Sequence, residues 1–322
     1  MTTIRTILGD IEPSALGVTY AHEHLVIDLG RPVELFPDFL LVDLERLVAE
    51  VEGARALGLA AMIDAMPCNA GRNVRKLAEI SRRTGVHVVA PTGLHLARYY
   101  EPSHWSGRLG ADEIAALFIA DIEDGVDELD YSGPVVRRTR HRAGVIKIAA
   151  GVQGPSGHEA MVFEAAAAAH RATGCPILTH CETGRGAVEQ VAALTGAGVE
   201  PGHIVLSHTD KVVDRGYHRA ILETGAMVEY DQAFRWPAEV PNGTLRLLEW
   251  MIEDGHLERL MLGNDAARQG YLEAYGGGPG LRFLLGPFAA AMTEHGIGAT
   301  EQAAIFVANP ARSFAFAAVS AD

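Results

Sequence analysis

Three cysteines, Cys68, Cys175 and Cys181, are all that 322 residues contain. So small and odd a number excludes a disulfide framework and makes a reducing cytoplasm the simplest compartment. No apolar run reaches the roughly 18 residues of a membrane span, so a membrane is not an expected partner. The opening "MTTIRTILGDIEP" has neither a long apolar core nor a small-residue cleavage site, so it is not expected to act as a signal peptide. Positive charge is scarce: 27 Lys and Arg stand against 41 Asp and Glu, a formal net charge of −14. No Lys/Arg-rich block stands out, so the electrostatic footprint of a nucleic-acid binder is missing. No strand-like run is followed by G-x-G-x-x-G, which weakens a dinucleotide reading. No Pro/Ser-rich linker divides the chain, and residues 1–322 read as one domain.

What the chain does have is alternation. With 48% hydrophobic residues it can bury a large core. Short apolar runs, "VTYAHEHL", "LAAMIDAM", "HVVAPTGL", "VIKIAAG", "PILTHCE", "HIVLSHTD", "AMVEYDQ" and "RLMLGND", alternate with segments of helical spacing such as "DLERLVAEVEGARALG" and "NVRKLAEISRRTG". Gly58, Gly85, Gly174 and Gly225 fall where C-terminal caps are expected. Eight strand-then-helix units predict an α/β fold with a parallel sheet closed as a (β/α)8 TIM barrel. "AYGGGPGL", Ala274 to Leu281, follows the eighth run, where a mobile active-site loop is expected.

Polar residues recur at the ends of these runs. His22 and His24 lie on the first, Lys147 on the fourth, His180 on the fifth, His208 on the sixth and Asp265 ends the eighth. In a barrel the C-terminal strand ends converge on one mouth. Four imidazoles, a carboxylate and an amine meeting there describe a ligand set for two metal ions. Lysine is the awkward member, because an ammonium has no lone pair. Carboxylation of its nitrogen by CO2 would turn Lys147 into a carbamate with two oxygens able to bridge a metal pair, which can then deprotonate a shared water near neutral pH. One histidine in an apolar strand is more often a hydrogen-bonded core residue; the ordered set of six is what points to metal.

These residues carry a resemblance. Through "GVTYAHEHL", "VIKIAAG", "ILTHCETG", "VLSHTD", "MLGNDAAR" and "NPARSF", the chain resembles the phosphotriesterase-like family of the amidohydrolase superfamily over essentially its whole length. The resemblance implies a distorted barrel with two divalent metals, zinc first, cobalt or manganese as alternatives. Carried over by position, His22, His24 and Asp265 would hold the more buried ion and His180 and His208 the more exposed one. Carboxylated Lys147 would bridge them. Asp265 would take a proton from a metal-bridging hydroxide as it attacks the substrate. The family hydrolyses lactones, organophosphate triesters and some carboxylic esters, and its members are commonly dimers.

The loops must choose among those substrates. Lys211 follows His208 by three residues, Arg235 follows the seventh run and Arg268 follows Asp265 by three. Cations clustered in an acidic protein are a candidate anion clamp, and by resemblance the lactonase branch opens phosphorylated sugar lactones with cations after the sixth and eighth strands. His95 takes the place of a family aromatic beside the metals. Tyr99 is a further candidate for substrate contact and Trp105 for a pocket wall. The reading is therefore a cytoplasmic two-metal lactonase for a small, phosphorylated substrate. The alternative is a neutral lactone or carboxylic ester hydrolase with promiscuous triester activity. A deaminase or amidase is a more distant reading and would leave Lys147 without a task.

Overall fold

Each of the eight apolar runs forms strand, because residues that alternate between an inner and an outer apolar environment suit a sheet buried on both faces. The computed structural model describes residues 2–319. A hairpin that the sequence did not announce comes first, β1 (Ile4–Thr6) against antiparallel β2 (Gly9–Ile11). The barrel strands follow: β3 (Thr19–Glu23), β4 (Ala61–Asp64), β5 (His87–Val89), β6 (Pro91–Thr92), β7 (Val145–Ala150), β8 (Ile177–Cys181), β9 (Ile204–Ser207), β10 (Met227–Tyr230) and β11 (Leu260–Leu262). They pair in parallel as β3-β4-β5 and β6-β7-β8-β9-β10-β11. β5 and β6 are one barrel strand interrupted at Ala90, next to Pro91, which has no N–H to give the ladder. Closure comes where β11 meets β3: the Asp265 N–H donates to the His22 carbonyl at 3.1 Å. Gly263 permits that approach, since a Cβ there would sit 2.7 Å from the same oxygen.

Helices follow the strands: α1 (Leu44–Arg55), α2 (Val74–Thr84), α3 (Ala111–Glu123), α4 (His158–Thr173), α5 (Ala187–Gly196), α6 (Arg215–Glu223) and α7 (Gly243–Glu253). Asp43, Asn73, Asp214 and Asn242 cap α1, α2, α6 and α7 by accepting from a first-turn N–H. Gly85 and Gly174 are left-handed C-caps, as expected. Gly58 and Gly225 are also left-handed but lie beyond caps made by Ala56 and Thr224.

Two apolar layers result. Ala61, Ile63, Val89, Val145, Leu178, Val205, Met227 and Met261 fill the barrel, and a larger cluster packs strands against helices. A fully buried Leu or Ile in either contributes about 1.5–3 kcal/mol. The 274–281 segment corrects an expectation. It is tied to α1, with the Ala274 and Leu281 N–H groups both donating to the Glu50 carboxylate at 2.8 Å, and it does not line the cavity at the barrel mouth.

Candidate metal centre

Strand alternation builds the site. Along each inward-facing row an apolar residue is followed two positions later by a polar one: Val145 then Lys147, Leu178 then His180, Val205 then Ser207, Met227 then Glu229 and Asp231. The lower layer fills the barrel and the upper layer opens at its mouth. β3 departs from this rule. Its register shifts between Tyr20 and Glu23, so Tyr20 packs in the outer core and donates to the Leu281 carbonyl while His22 faces inward. A regular strand would have put both on one side; the bulge separates them. His208 and Asp265 lie just past their strands in left-handed conformations, φ 65° and 50°. That backbone is costly for residues with a Cβ. The Asp265 turn is held by Glu23, whose carboxylate accepts from the Asn264 N–H and side-chain amide, both at 2.9 Å.

The six expected ligands line one cavity of about 220 Å³. His24 Nε2 is 3.2 Å and His22 Nε2 3.6 Å from Asp265 Oδ1. These three residues each offer a ligand atom within 4.8 Å of the others. His22 Nε2 is buried without a hydrogen-bond partner, so its lone pair is free to ligate. A divalent ion therefore fits the residues present. His180 joins from β8, its ring centroid 4.5 Å from that of His208. Lys147 is buried, its Nζ 3.3 Å from Ser207 Oγ.

Behind the rings stand two fully buried carboxylates that the sequence reading did not assign to the centre. Glu229 Oε1 is 2.7 Å from His22 Nδ1, and Asp231 Oδ2 is 2.6 Å from His208 Nδ1. His22, His208, Glu229 and Asp231 could themselves hold an ion. The distances favour another role: hydrogen-bonded to Nδ1 of His22, Glu229 fixes the proton there and leaves Nε2 free for the cavity, while Asp231 sets a negative charge against His208. The signal was present, since Glu229 and Asp231 repeat on β10 the two-residue spacing that singles out His22 and His24. A third support, also missed, is Glu182, 2.8 Å from His180 Nε2 and 2.8 Å from Arg98.

Burial and charge set the protonation states. Burial pushes His22 down to about 3, with Lys147 adding to the effect, and it also lowers His95, His180 and His208. Neutral imidazole is the form that binds metal. Burial brings Lys147 down to about 8 against the pull of Glu229 and Asp265. Burial opposes ionisation of Asp265, but Arg235 and His24 outweigh it and hold the carboxyl well below its usual range. Glu229 is pushed up by burial and by Asp231, whereas His208 holds Asp231 down against its own burial. The two neighbouring carboxyls are thus shifted in opposite directions.

Lys211, Arg235, Arg268, His95 and Tyr99 line the same cavity. Their engagements differ. Arg235 donates to Asp265 Oδ2 at 3.1 Å and to the carbonyls of Asp231, Asn264 and Asp265, so its guanidinium clamps the metal-side turn. Arg268 pairs with Asp38 at 2.7 Å and lies over Phe36 and Phe39. Lys211 is exposed, with no ion pair among the described residues. His95 sits 4.9 Å from His180 and 4.3 Å from Tyr99, ring to ring. Trp105 corrects an expectation: it packs on His104 and Tyr131 away from this cavity. Tyr100 is core, its hydroxyl donating to the Cys68 carbonyl.

A TIM barrel whose strand ends gather histidines and carboxylates around a metal-sized gap is the frame of a metal-dependent hydrolase. The phosphotriesterase family profile matches residues 2–314, and the chain belongs to that family of binuclear metal enzymes. It is 32% identical to a phospho-furanose lactonase of Mycoplasmopsis synoviae, covering 97% of this chain and 91% of that one. Among solved structures it resembles an amidohydrolase from Mycoplasma synoviae, with TM-score 0.93, 32% identity, and 99% and 93% of the two chains covered. It also resembles a lactonase from Listeria monocytogenes, with TM-score 0.89, 27% identity, and 98% and 100% covered.

Proposed function

We propose that this chain is a two-metal lactonase that opens phosphorylated sugar lactones, working as one barrel domain in the cytoplasm. The observation that carries the reading is a single cavity combining the six-residue ligand set with Lys211, an ammonium with no carboxylate partner among the described residues. The phospho-furanose lactonase relative supports it.

In this reading His22, His24 and Asp265 would hold one zinc ion, His180 and His208 would hold the other, and a carboxylated Lys147 would be the ligand they share. The lowered basicity of Lys147 supports that modification, because only a neutral amine attacks CO2. The metal pair, when bound, supplies a nucleophilic water at neutral pH and polarises the scissile carbonyl. Asp265 takes the proton on Oδ1, while Arg235 holds Oδ2 and so keeps the carboxylate aimed. That proton then goes to the ring oxygen released as the acyl C–O bond of the lactone breaks. Lys211, with Arg268 lining the same cavity, attracts the substrate phosphate, and His95 and Tyr99 pack against the sugar ring.

The test compares a phosphorylated γ-lactone with its neutral counterpart. Lys211→Ala should raise KM for the first about tenfold more than for the second and leave kcat nearly unchanged. Equal effects on both would reject the clamp. A second reading, a neutral lactone or carboxylic ester hydrolase with promiscuous triester activity, draws on the apolar wall of Pro32, Phe39, Met66 and Tyr271 and on the acids already engaged by Arg235 and Arg268. It expects the neutral lactone to be the better substrate.

A further inference from the structure

Away from the mouth, the sign of the surface reverses. α2 presents Arg75, Glu79 and Arg82 outward, four and three residues apart and so on one helical face. Alongside runs "RRTRHR", Arg137 to Arg142, which leads into the N-terminal end of β7. Between them lies an open cavity of about 620 Å³, bordered by four guanidinium groups, Arg75, Arg82, Arg138 and Arg140, against two carboxylates. A second cavity of about 360 Å³ shares Arg82, Arg140 and His141 and adds Arg142. None of these residues lines the metal cavity. In a chain of net charge −14 this is a local concentration of cations, and although carboxylates of the chain pair with Arg75, Arg82, Arg138 and Arg142, Arg140 is left without an ion pair among the described residues.

Several of these cations are held in place. Arg138 Nη1 donates to Asp121 at 2.7 Å, to the Gly125 carbonyl at 2.8 Å and to the Tyr131 hydroxyl at 2.6 Å, and its guanidinium lies over the Tyr131 ring. Arg75 is fixed at 2.5 Å by Glu128 and Arg82 by Glu79. Arg140 has no ion pair among the described residues. Cations fixed in advance lose less entropy on binding than free ones. The groove also limits its ligand. Arg75 and Arg82 are seven residues apart, about 10 Å along a helix, a separation that two phosphate groups of one small molecule can span, and the net charge of −14 disfavours a long polyanion.

We propose that the groove between α2 and the 135–142 segment binds a small anion bearing two phosphate groups, at a site separate from the metal centre. Guanidinium forks match phosphate oxygens in pairs.

Calorimetric titration of the metal-loaded enzyme with glucose 1,6-bisphosphate tests this, with Lys211→Ala used to weaken any binding at the mouth. The Lys211→Ala enzyme should still bind the bisphosphate. Adding Arg75→Glu and Arg140→Glu should weaken that binding about tenfold or more, while turnover of a neutral lactone without bisphosphate stays unchanged. The milder Arg140→Ala, expected to fold in any case, should fall between the two. Equal affinity with and without the groove substitutions would overturn the proposal. So would inorganic phosphate binding as tightly as the bisphosphate, or a single-stranded oligonucleotide competing more strongly than either.

Discussion

Two groups of buried or half-buried histidines share the molecule, and their difference points to the site. His218 is satisfied at both nitrogens, Nε2 at 2.9 Å from the Val212 carbonyl and Nδ1 at 2.7 Å from the Tyr230 hydroxyl. His104 likewise has Ser106 Oγ at 2.7 Å and Asn69 Oδ1 at 2.8 Å. His22, at the mouth, has a carboxylate at Nδ1 and no partner at Nε2. Burial makes all three rings weak bases, lowering His218 and His104 to about 4 and His22 to about 3. Loss of basicity therefore does not mark function. A buried polar atom left unpaired is costly, and at His22 the unpaired nitrogen belongs to the cavity on which the other proposed ligands converge.

The largest effect that would break this contrast is at Lys147. Lys147→Ala should leave the protein with fewer than the two metals expected per chain and lower kcat/KM for a neutral lactone by about three orders of magnitude or more. Metal content is read by elemental analysis after dialysis. A variant that keeps both ions would make Lys147 a buried amine with no part in the centre. A smaller effect belongs to Asp231→Asn, which removes the charge behind His208 but none of the proposed ligands. Metal affinity should fall about 10–100-fold, as is usual when the partner of a ligating ring is lost. Affinity unchanged in competition with a chelator would return Asp231 to the barrel core.

Most of the frame was legible because it rests on local periodicity. The eight strand runs and the residues at their ends needed only alternation and the rule that barrel strand ends converge. What stayed hidden depends on distortion or on distant partners. The bulge that turns His22 inward is not written in "TYAHE", since strict alternation would pair it with Tyr20. The left-handed turns at His208 and Asp265 fall on residues that do not announce them. Arg235 looked like a free cation, and only the three-dimensional path of the chain shows three carbonyls and Asp265 taking up its donors. Glu229 and Asp231 were readable by the same spacing as His22 and His24 and were overlooked. "RRTRHR" was contiguous in sequence but counted for little against a net charge of −14; the groove became visible once α2 lay beside it.

The smallest effect sharpens the contrast from the structural side. His218 is held neutral by burial, with a pKa of about 4 against the ordinary 6.5. Between those values the unfolded chain binds a proton that the native ring refuses, so stability rises with pH across that window. The contribution is fully present above pH 6.5 and is lost as pH falls from there towards 4. His218→Gln can keep hydrogen bonds to Val212 and Tyr230 but cannot titrate. Denaturant unfolding at a series of pH values should show the wild type losing about 1 kcal/mol more than the variant between pH 7 and about pH 5.5. Metal content should be equal in both, because His218 lies outside the mouth cavity. Parallel stability curves would mean that the His218 ring gains its proton in the fold as easily as in water. Low basicity would then separate His22 from His218 as well, and would mark the site after all.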